Sequence, residues 1–256
     1  MADWSPGQYL KFEDERTRPA AELLARVPID RPRRIIDIGC GPGNSTELLL
    51  ARYPDAEIVG LDSSPEMLAK ARDRLPGVRF TEAAVETWTP SAPFDLVFAN
   101  AVMQWVPDHL AVLARLLAAC APGGVVALQV PDNLDEPTHR SMADVAADGP
   151  WRDRFAEPIE REAIPKPAAY YDALKPIAAQ VDVWHTVYYH PLDDHDAIVA
   201  WLKGSGLRPY LDRLQPEDEA PFVDAYRERI AASHPLLVDG RVLLRFPRLF
   251  VVAVKT

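Results

Sequence analysis

The chain has 256 residues, 48% of them hydrophobic, 26% charged and 9% aromatic. That is the composition of a globular protein and excludes disordered, collagen-like and coiled-coil chains. With 28 basic against 38 acidic residues the formal charge is −10, which opposes counterion-driven binding to a phosphate backbone, so nucleic acid is not an expected partner.

No run of about 18 apolar residues occurs, and the opening Met1-Ala2-Asp3-Trp4-Ser5 lacks the basic and apolar blocks of a secretory leader. No membrane association is expected, and a cytoplasmic location is the default. Of the 28 cations, 22 are arginine. An acidic small molecule would be repelled at long range and would need a local group of these cations to bind. Cys40 and Cys120 lie far apart without CxxC or His-paired spacing, so neither a disulfide, a zinc framework nor any other metal site is indicated.

The first predicted strand is Arg34-Ile35-Ile36-Asp37-Ile38-Gly39, an apolar run ending in glycines, followed by helical periodicity from Asn44 to Tyr53. Glu57 to Asp62 repeats the pattern, and Ser64-Pro65-Glu66 supplies a cap and a first-turn proline for a helix reaching about Arg74. Val78 to Ala83 is a third strand and Phe94 to Asn100 a fourth. A helix over Pro107–Ala119 and a fifth strand over Gly124–Val130 follow. Parallel neighbours need crossover connections, so this rhythm predicts an α/β fold with a doubly wound, mostly parallel sheet.

The second half breaks the rhythm. Residues 132–167, rich in Pro, Asp and Arg, read as an excursion over the carboxyl edge of the sheet. Val181 to His190 alternates like a strand, and Leu249 to Val254 closes the chain as another, with helical signals between them at Asp196–Lys203 and Asp218–Ala232. No internal repeat is present. The expected organisation is one domain over 1–256, with a cap formed by about 1–28, 132–167 and 191–247.

Asp37-Ile38-Gly39-Cys40-Gly41-Pro42-Gly43 joins the first strand to its helix, and glycines at 39, 41 and 43 permit a tight turn with close backbone approach by a ligand. Asp62 ends the next strand, where a carboxylate can accept hydrogen bonds from both hydroxyls of a ribose. Together they indicate a nucleoside-bearing cofactor. A dinucleotide fits poorly, because its fingerprint is G-x-G-x-x-G, whereas here the third glycine comes one residue sooner and an acid precedes the first by two.

This loop resembles the D/E-x-G-x-G-x-G motif of the class I S-adenosylmethionine-dependent methyltransferases, a resemblance that implies a seven-stranded sheet. It also implies that Asp37 orders the loop and the methionine ammonium, and that Asp62 takes the ribose. The cofactor shell so implied contains Arg18, Asp37, Gly39, Gly41, Gly43, Asp62, Ser63, Met67, Ala84, Val85, Asn100 and Gln104. Family members often carry an acid after the third strand to hold the adenine amino group. Here that position is Ala84, so the amide of Val85 is the alternative; Glu82 reads as a surface charge, and Glu86 is open between that and a role at the site.

Asn100-Ala101-Val102-Met103-Gln104-Trp105-Val106-Pro107-Asp108-His109 follows the fourth strand, without the Asn/Asp-Pro-Pro-aromatic sequence common in methyltransferases of amide or base nitrogens. Several other segments matter with it: residues 4–19, Gln129-Val130-Pro131-Asp132-Asn133 with Glu136-Pro137-Thr138-His139, Tyr188-Tyr189-His190, Gly206-Leu207-Arg208-Pro209 and Phe246-Pro247-Arg248-Leu249-Phe250. With these, the chain is similar to the trans-aconitate methyltransferases. The resemblance implies methyl esterification of one carboxylate of a small tricarboxylic acid, a reaction of positioning that needs no catalytic base. Arg16, Met103, Trp105, Tyr188, Tyr189, His190, Arg208 and Arg248 are the candidate substrate residues. Tyr188 and Tyr189 occupy adjacent strand positions and face opposite sides, so one at most meets the substrate. Other small acceptors, or an idle cofactor-binding module acting through a partner, stay open as alternatives.

Overall fold

A computed structural model describes residues 13–157, 159 and 163–256, with the side chains of 13–16 excepted. Helix α1 (Glu13–Ala25) precedes β1 (Arg34–Ile38), α2 (Asn44–Arg52), β2 (Glu57–Asp62), α3 (Pro65–Arg74), β3 (Arg79–Glu82) and β4 (Leu96–Asn100). The chain continues through a 3₁₀ turn (Met103–Trp105), α4 (His109–Ala118), β5 (Val125–Pro131), α5 (Pro137–Asp148) and a second 3₁₀ turn (Arg152–Phe155). Then come α6 (Pro167–Leu174), a third 3₁₀ turn (Lys175–Ile177), β6 (Ala178–Leu192), α7 (His195–Lys203), α8 (Arg208–Leu211), α9 (Pro216–Ser233) and β7 (Val242–Lys255).

The strands form one seven-stranded sheet in the order β3-β2-β1-β4-β5-β7-β6. The first five are parallel, and β7 runs antiparallel between β5 and β6. The order reverses direction beside β1 and β4, which is where open α/β sheets bind ligands at their carboxyl ends. Apolar residues alternate between two clusters, as a sheet covered on both faces requires. Ile35, Leu96, Phe98, Val125, Ala127 and Phe250 pack on the face that also buries Leu23, Leu24, Trp201, Phe222 and Tyr226. Ile36, Val97, Ala99, Val126, Leu128 and Val251 face the other way, against Leu113, Leu117, Tyr170 and Leu174.

Local signals set several boundaries. Ser64 caps α3, its Oγ accepting from the Met67 N–H at 3.4 Å, and Pro65 occupies the first turn. Between β3 and β4 no helix occurs among the described residues. The Arg115 guanidinium instead fastens that connection by donating to the carbonyls of Val85, Glu86 and Trp88. The expected excursion over 191–247 is narrower at both ends, because residues 191–192 continue β6 and 242–247 belong to β7. Antiparallel pairing from Ala178↔Lys255 to Leu192↔Val242 extends both strands well past the alternating cores visible in the sequence. The helices over this face are not a separate layer, since α5, α7 and α9 share one apolar cluster with the sheet. No helix among the described residues is long and apolar enough to cross a membrane.

Candidate active site

The glycine loop leaves β1 in left-handed backbone, with φ of 65° at Gly39, 54° at Gly41 and 94° at Gly43. At Gly39 the glycine is obligatory twice over, since a Cβ there would meet Val102 Cγ2 at 2.3 Å. At Gly41 a Cβ would meet nothing within 4 Å, so that position faces open space. Gly39, Cys40, Gly41, Pro42, Asn44, Ser45 and Asn100 line a pocket that Thr17 and Ala20 of α1 close from the other side.

Two acids set the electrostatics. Asp37 is fully buried, and its Oδ2 accepts from Ser45 Oγ (2.7 Å) and Thr46 Oγ1 (2.6 Å), while Oδ1 meets no donor among the described residues. Burial, opposed by those two hydroxyls and assisted by the nearby Asp62 charge, pushes the Asp37 carboxyl up to about 7. A cation beside Oδ1 would reverse that shift. Asp62 accepts from the Gly41 N–H at 2.9 Å and the Ser64 N–H at 2.8 Å, one at each oxygen, which pins the loop to the end of β2. A carboxylate has about four lone-pair sites, so both oxygens retain capacity for a pair of hydroxyls. Cys40, in the same loop, is a buried free thiol whose ionisation burial pushes far up, so it is inert.

Beyond β4 the backbone turns through Ala101 at a φ of 56°, rare for a residue with a side chain. The turn is held by the Ala101 N–H donating to the Gln129 carbonyl and by Gln104 Nε2 donating to the Ala101 carbonyl, both at 2.8 Å. Asn100 Oδ1 and Gln104 Oε1 are left buried without a donor among the described residues. Strained backbone beside unmet polar atoms is a combination found where a ligand completes the structure.

A second polar group lies farther along the same sheet face. Arg248 is 4% exposed, donates from Nη1 to Gln129 Oε1 at 3.0 Å and lies 4.7 Å over the Phe246 ring. Near it His190 is buried among Tyr188, Trp201 and Phe246. Burial, with the charges of Arg248 and Arg18, depresses its ring to about 4, so it is neutral at pH 7 and offers a hydrogen bond rather than a charge. Tyr188 donates to Glu22 at 2.5 Å, Glu22 also holds Arg18 at 2.8 Å, and the Arg18 guanidinium stacks 5.0 Å above the Tyr188 ring.

Gly39, Gly41 and Asn100 thus meet in one pocket with Asp37 and Asp62 behind the loop, while Arg18, Tyr188, His190 and Arg248 meet in the second group. Gly43 and the buried Met67 flank the start of their helices, and Val85 is buried where Ala84 and Ser63 are exposed. Two expected substrate residues face away from both groups, and a third pairs within its own segment. Tyr189 is 56% exposed because it points to the opposite side of β6 from Tyr188. Met103 is wholly buried in the apolar cluster on the far face of the sheet. Arg208 turns toward Asp212 of its own short helix, at 3.8 Å. Trp105 is half-exposed beyond β4, and the side chain of Arg16 lies outside the described residues. Sequence reasoning missed Ser45, Thr46, Glu22 and Gln129. The first two were legible as hydroxyls opening a helix after the glycine loop; the others carry no local signal.

Residues 12–201 match the family model described as methyltransferase domain. The chain is 58% identical over its full length, and over the full length of that protein, to a trans-aconitate 2-methyltransferase of Rhodopseudomonas palustris. It is also 58% identical to a trans-aconitate 2-methyltransferase of Methylobacterium radiotolerans, covering 100% of this chain and 99% of the relative. Among solved structures, phosphoethanolamine N-methyltransferase 2 of Haemonchus contortus, in complex with phosphomonomethylethanolamine and S-adenosylhomocysteine, superposes with a TM-score of 0.55 at 17% identity. That match covers 93% of this chain and 52% of the other.

Proposed function

Because the chain belongs to the methyltransferase family, together with the trans-aconitate 2-methyltransferases it matches end to end, we propose that it moves a methyl group from S-adenosylmethionine to one carboxylate of trans-aconitate, giving a monomethyl ester. The observation that carries this reading is the change of polarity along one sheet face. Unmet acceptors, Asp37 Oδ1 and Asn100 Oδ1, lie at the glycine-loop end, and the buried cation Arg248 lies at the other. Acceptors suit the ammonium and hydroxyls of the donor. A buried guanidinium suits a carboxylate.

When bound, S-adenosylmethionine supplies an electrophilic methyl group and leaves as S-adenosylhomocysteine. Asp37 holds the ammonium through Oδ1, and the backbone at Gly39, Gly41 and Gly43 lets the methionine end approach. Asp62 would take the ribose beside Ser63 and Met67, the Val85 amide next to Ala84 would meet the adenine edge, and Asn100, with Gln104 after it, would offer acceptors to the donor. Arg18, expected at the donor carboxylate, is instead held by Glu22 over the Tyr188 ring on the acceptor side. On the acceptor side Arg248 neutralises a carboxylate that does not react, and His190 and Tyr188 shape its surroundings.

A carboxylate with an ordinary pKa near about 4 is already ionised at neutral pH, so no side chain has to remove a proton. The chain's contribution is alignment and exclusion of water, which in well-oriented systems supplies up to about 7–11 kcal/mol. The formal charge of −10 keeps nucleic acid outside this reading. Incubation with S-adenosylmethionine and, separately, trans-aconitate, cis-aconitate, citrate and isocitrate is expected to form ester selectively from trans-aconitate, followed by mass spectrometry. Binding of S-adenosylhomocysteine with no ester from any of the four acids would remove the acceptor and leave the donor.

A further inference from the structure

We propose that Gln129 is a specificity-determining residue that donates its side-chain amide to a carboxylate of the acceptor, an assignment that rests on the acceptor reading above. Gln129 lies on β5 in the same row as Val125 and Ala127 and is 0% exposed. Its register partner on β4 is Asn100, which lines the donor pocket. On the other side it accepts from Arg248 of β7.

The Arg248 bond decides which way the amide points. A guanidinium has five donors and no acceptor, so it can face only Oε1, and the NH₂ group must turn away from β7. Nε2 there is buried with no acceptor among the described residues. Buried amide groups are nearly always satisfied, and a persistent exception marks a place where a ligand finishes the network. What finishes this one must accept hydrogen bonds, which excludes the donor ammonium and fits a carboxylate.

A neutral donor beside Arg248 also solves an electrostatic problem. A second buried cation would be strongly disfavoured whenever the acid is absent, whereas an amide adds a directed hydrogen bond without charge. Gln129 and Arg248 side by side therefore read a carboxylate twice, once by charge and once by direction. An acid lacking that carboxylate would leave the Gln129 amide unmet.

The experiment compares wild type, Gln129→Leu and Gln129→Glu on trans-aconitate and on unsaturated dicarboxylic acids that lack each carboxylate in turn, with S-adenosylhomocysteine affinity measured by calorimetry. For the wild type, removing the carboxylate that faces Gln129 is expected to lower kcat/KM by about 10- to 100-fold. Gln129→Leu should lose a smaller factor on the full acid, mainly through KM, because Arg248 still reads the carboxylate, and removing that carboxylate should then cost the variant less than it costs the wild type. Gln129→Glu keeps the volume and the acceptor for Arg248 but opposes the substrate charge, so its KM should rise at least as far with donor affinity unchanged. It stands in if the Leu variant fails to fold. Losses that multiply for every truncated acid, or donor affinity that falls in step, would overturn the assignment while wild-type turnover keeps the acceptor reading. Absence of ester from the wild type with every acid would overturn both.

Discussion

The donor end of the site and the acceptor end share one sheet face but are built by different means. At the donor end, Asp37, the glycines, Ser45 and Thr46 fall within ten consecutive residues, and backbone geometry does most of the shaping. At the acceptor end, Arg248 meets Gln129 across 119 residues of chain and Tyr188 meets Glu22 across 166. One end is a local motif; the other exists only once β7 has paired with β5 and β6. A local motif fixes which cofactor is held, while long-range pairing leaves acceptor chemistry free to differ between chains of the same fold.

The largest expected effect tests the donor end, at two glycines of the same loop. Gly39→Ala combines the cost of a side chain in left-handed backbone with a collision against Val102, together about 2–5 kcal/mol of stability. Thermal melting should show the loss, and S-adenosylhomocysteine binding should vanish with it. Gly41→Ala meets open space, so it should cost only about 1–2 kcal/mol while still obstructing the donor. Equal stability losses in the two variants would mean that the loop is not shaped as described.

The middle effect tests Asp37 as the ammonium site. Its folded carboxyl is raised to about 7, so the folded chain binds this proton more tightly than the unfolded chain does. Stability from this group is therefore present at low pH, declines as pH rises from the ordinary aspartate range, and is gone above about 7. A bound ammonium favours the ionised form, so donor affinity should rise about tenfold between about pH 6 and pH 8, with a proton released in the lower half of that range. Calorimetry of S-adenosylhomocysteine in buffers of different ionisation enthalpy measures both quantities, and Asp37→Asn should flatten the profile.

The smallest effect sharpens the acceptor end. Tyr188→Phe removes the hydrogen bond to Glu22, a half-exposed partner, and should cost about 1 kcal/mol in chemical denaturation. Tyr189→Ala, on the solvent side of the same strand, should stay within about 0.5 kcal/mol and leave turnover unchanged. A reversal of that order would place the wrong face of β6 against the cap.

The same contrast explains what could be read from the amino-acid order. The glycine loop, Asp37 and Asp62 were legible because spacing alone carries their geometry, and β2 begins and ends at Glu57 and Asp62 as expected. Alternation showed that Tyr188 and Tyr189 face opposite ways but not which way is inward, since that depends on the cap helices covering one face. Met103 was chosen for its place after β4, yet the 3₁₀ turn carries it to the far side of the sheet. Arg208 was chosen from its turn, and its partner proved to be one helical turn away. Gln129 was quoted as part of a segment and given no role, because its meaning comes from Arg248, which pairing alone brings alongside.

Helix α1 gives Thr17 and Ala20 to the donor pocket and Arg18 and Glu22 to the group around Tyr188. The two ligands therefore share a wall, and a shared wall makes their affinities reciprocal: any factor by which the donor tightens the acid is returned by the acid to the donor. Methyl transfer erases the sulfonium charge and one carboxylate charge in the same event. If both ligands meet this helix as proposed, the loss of both charges would weaken both products' contacts with it.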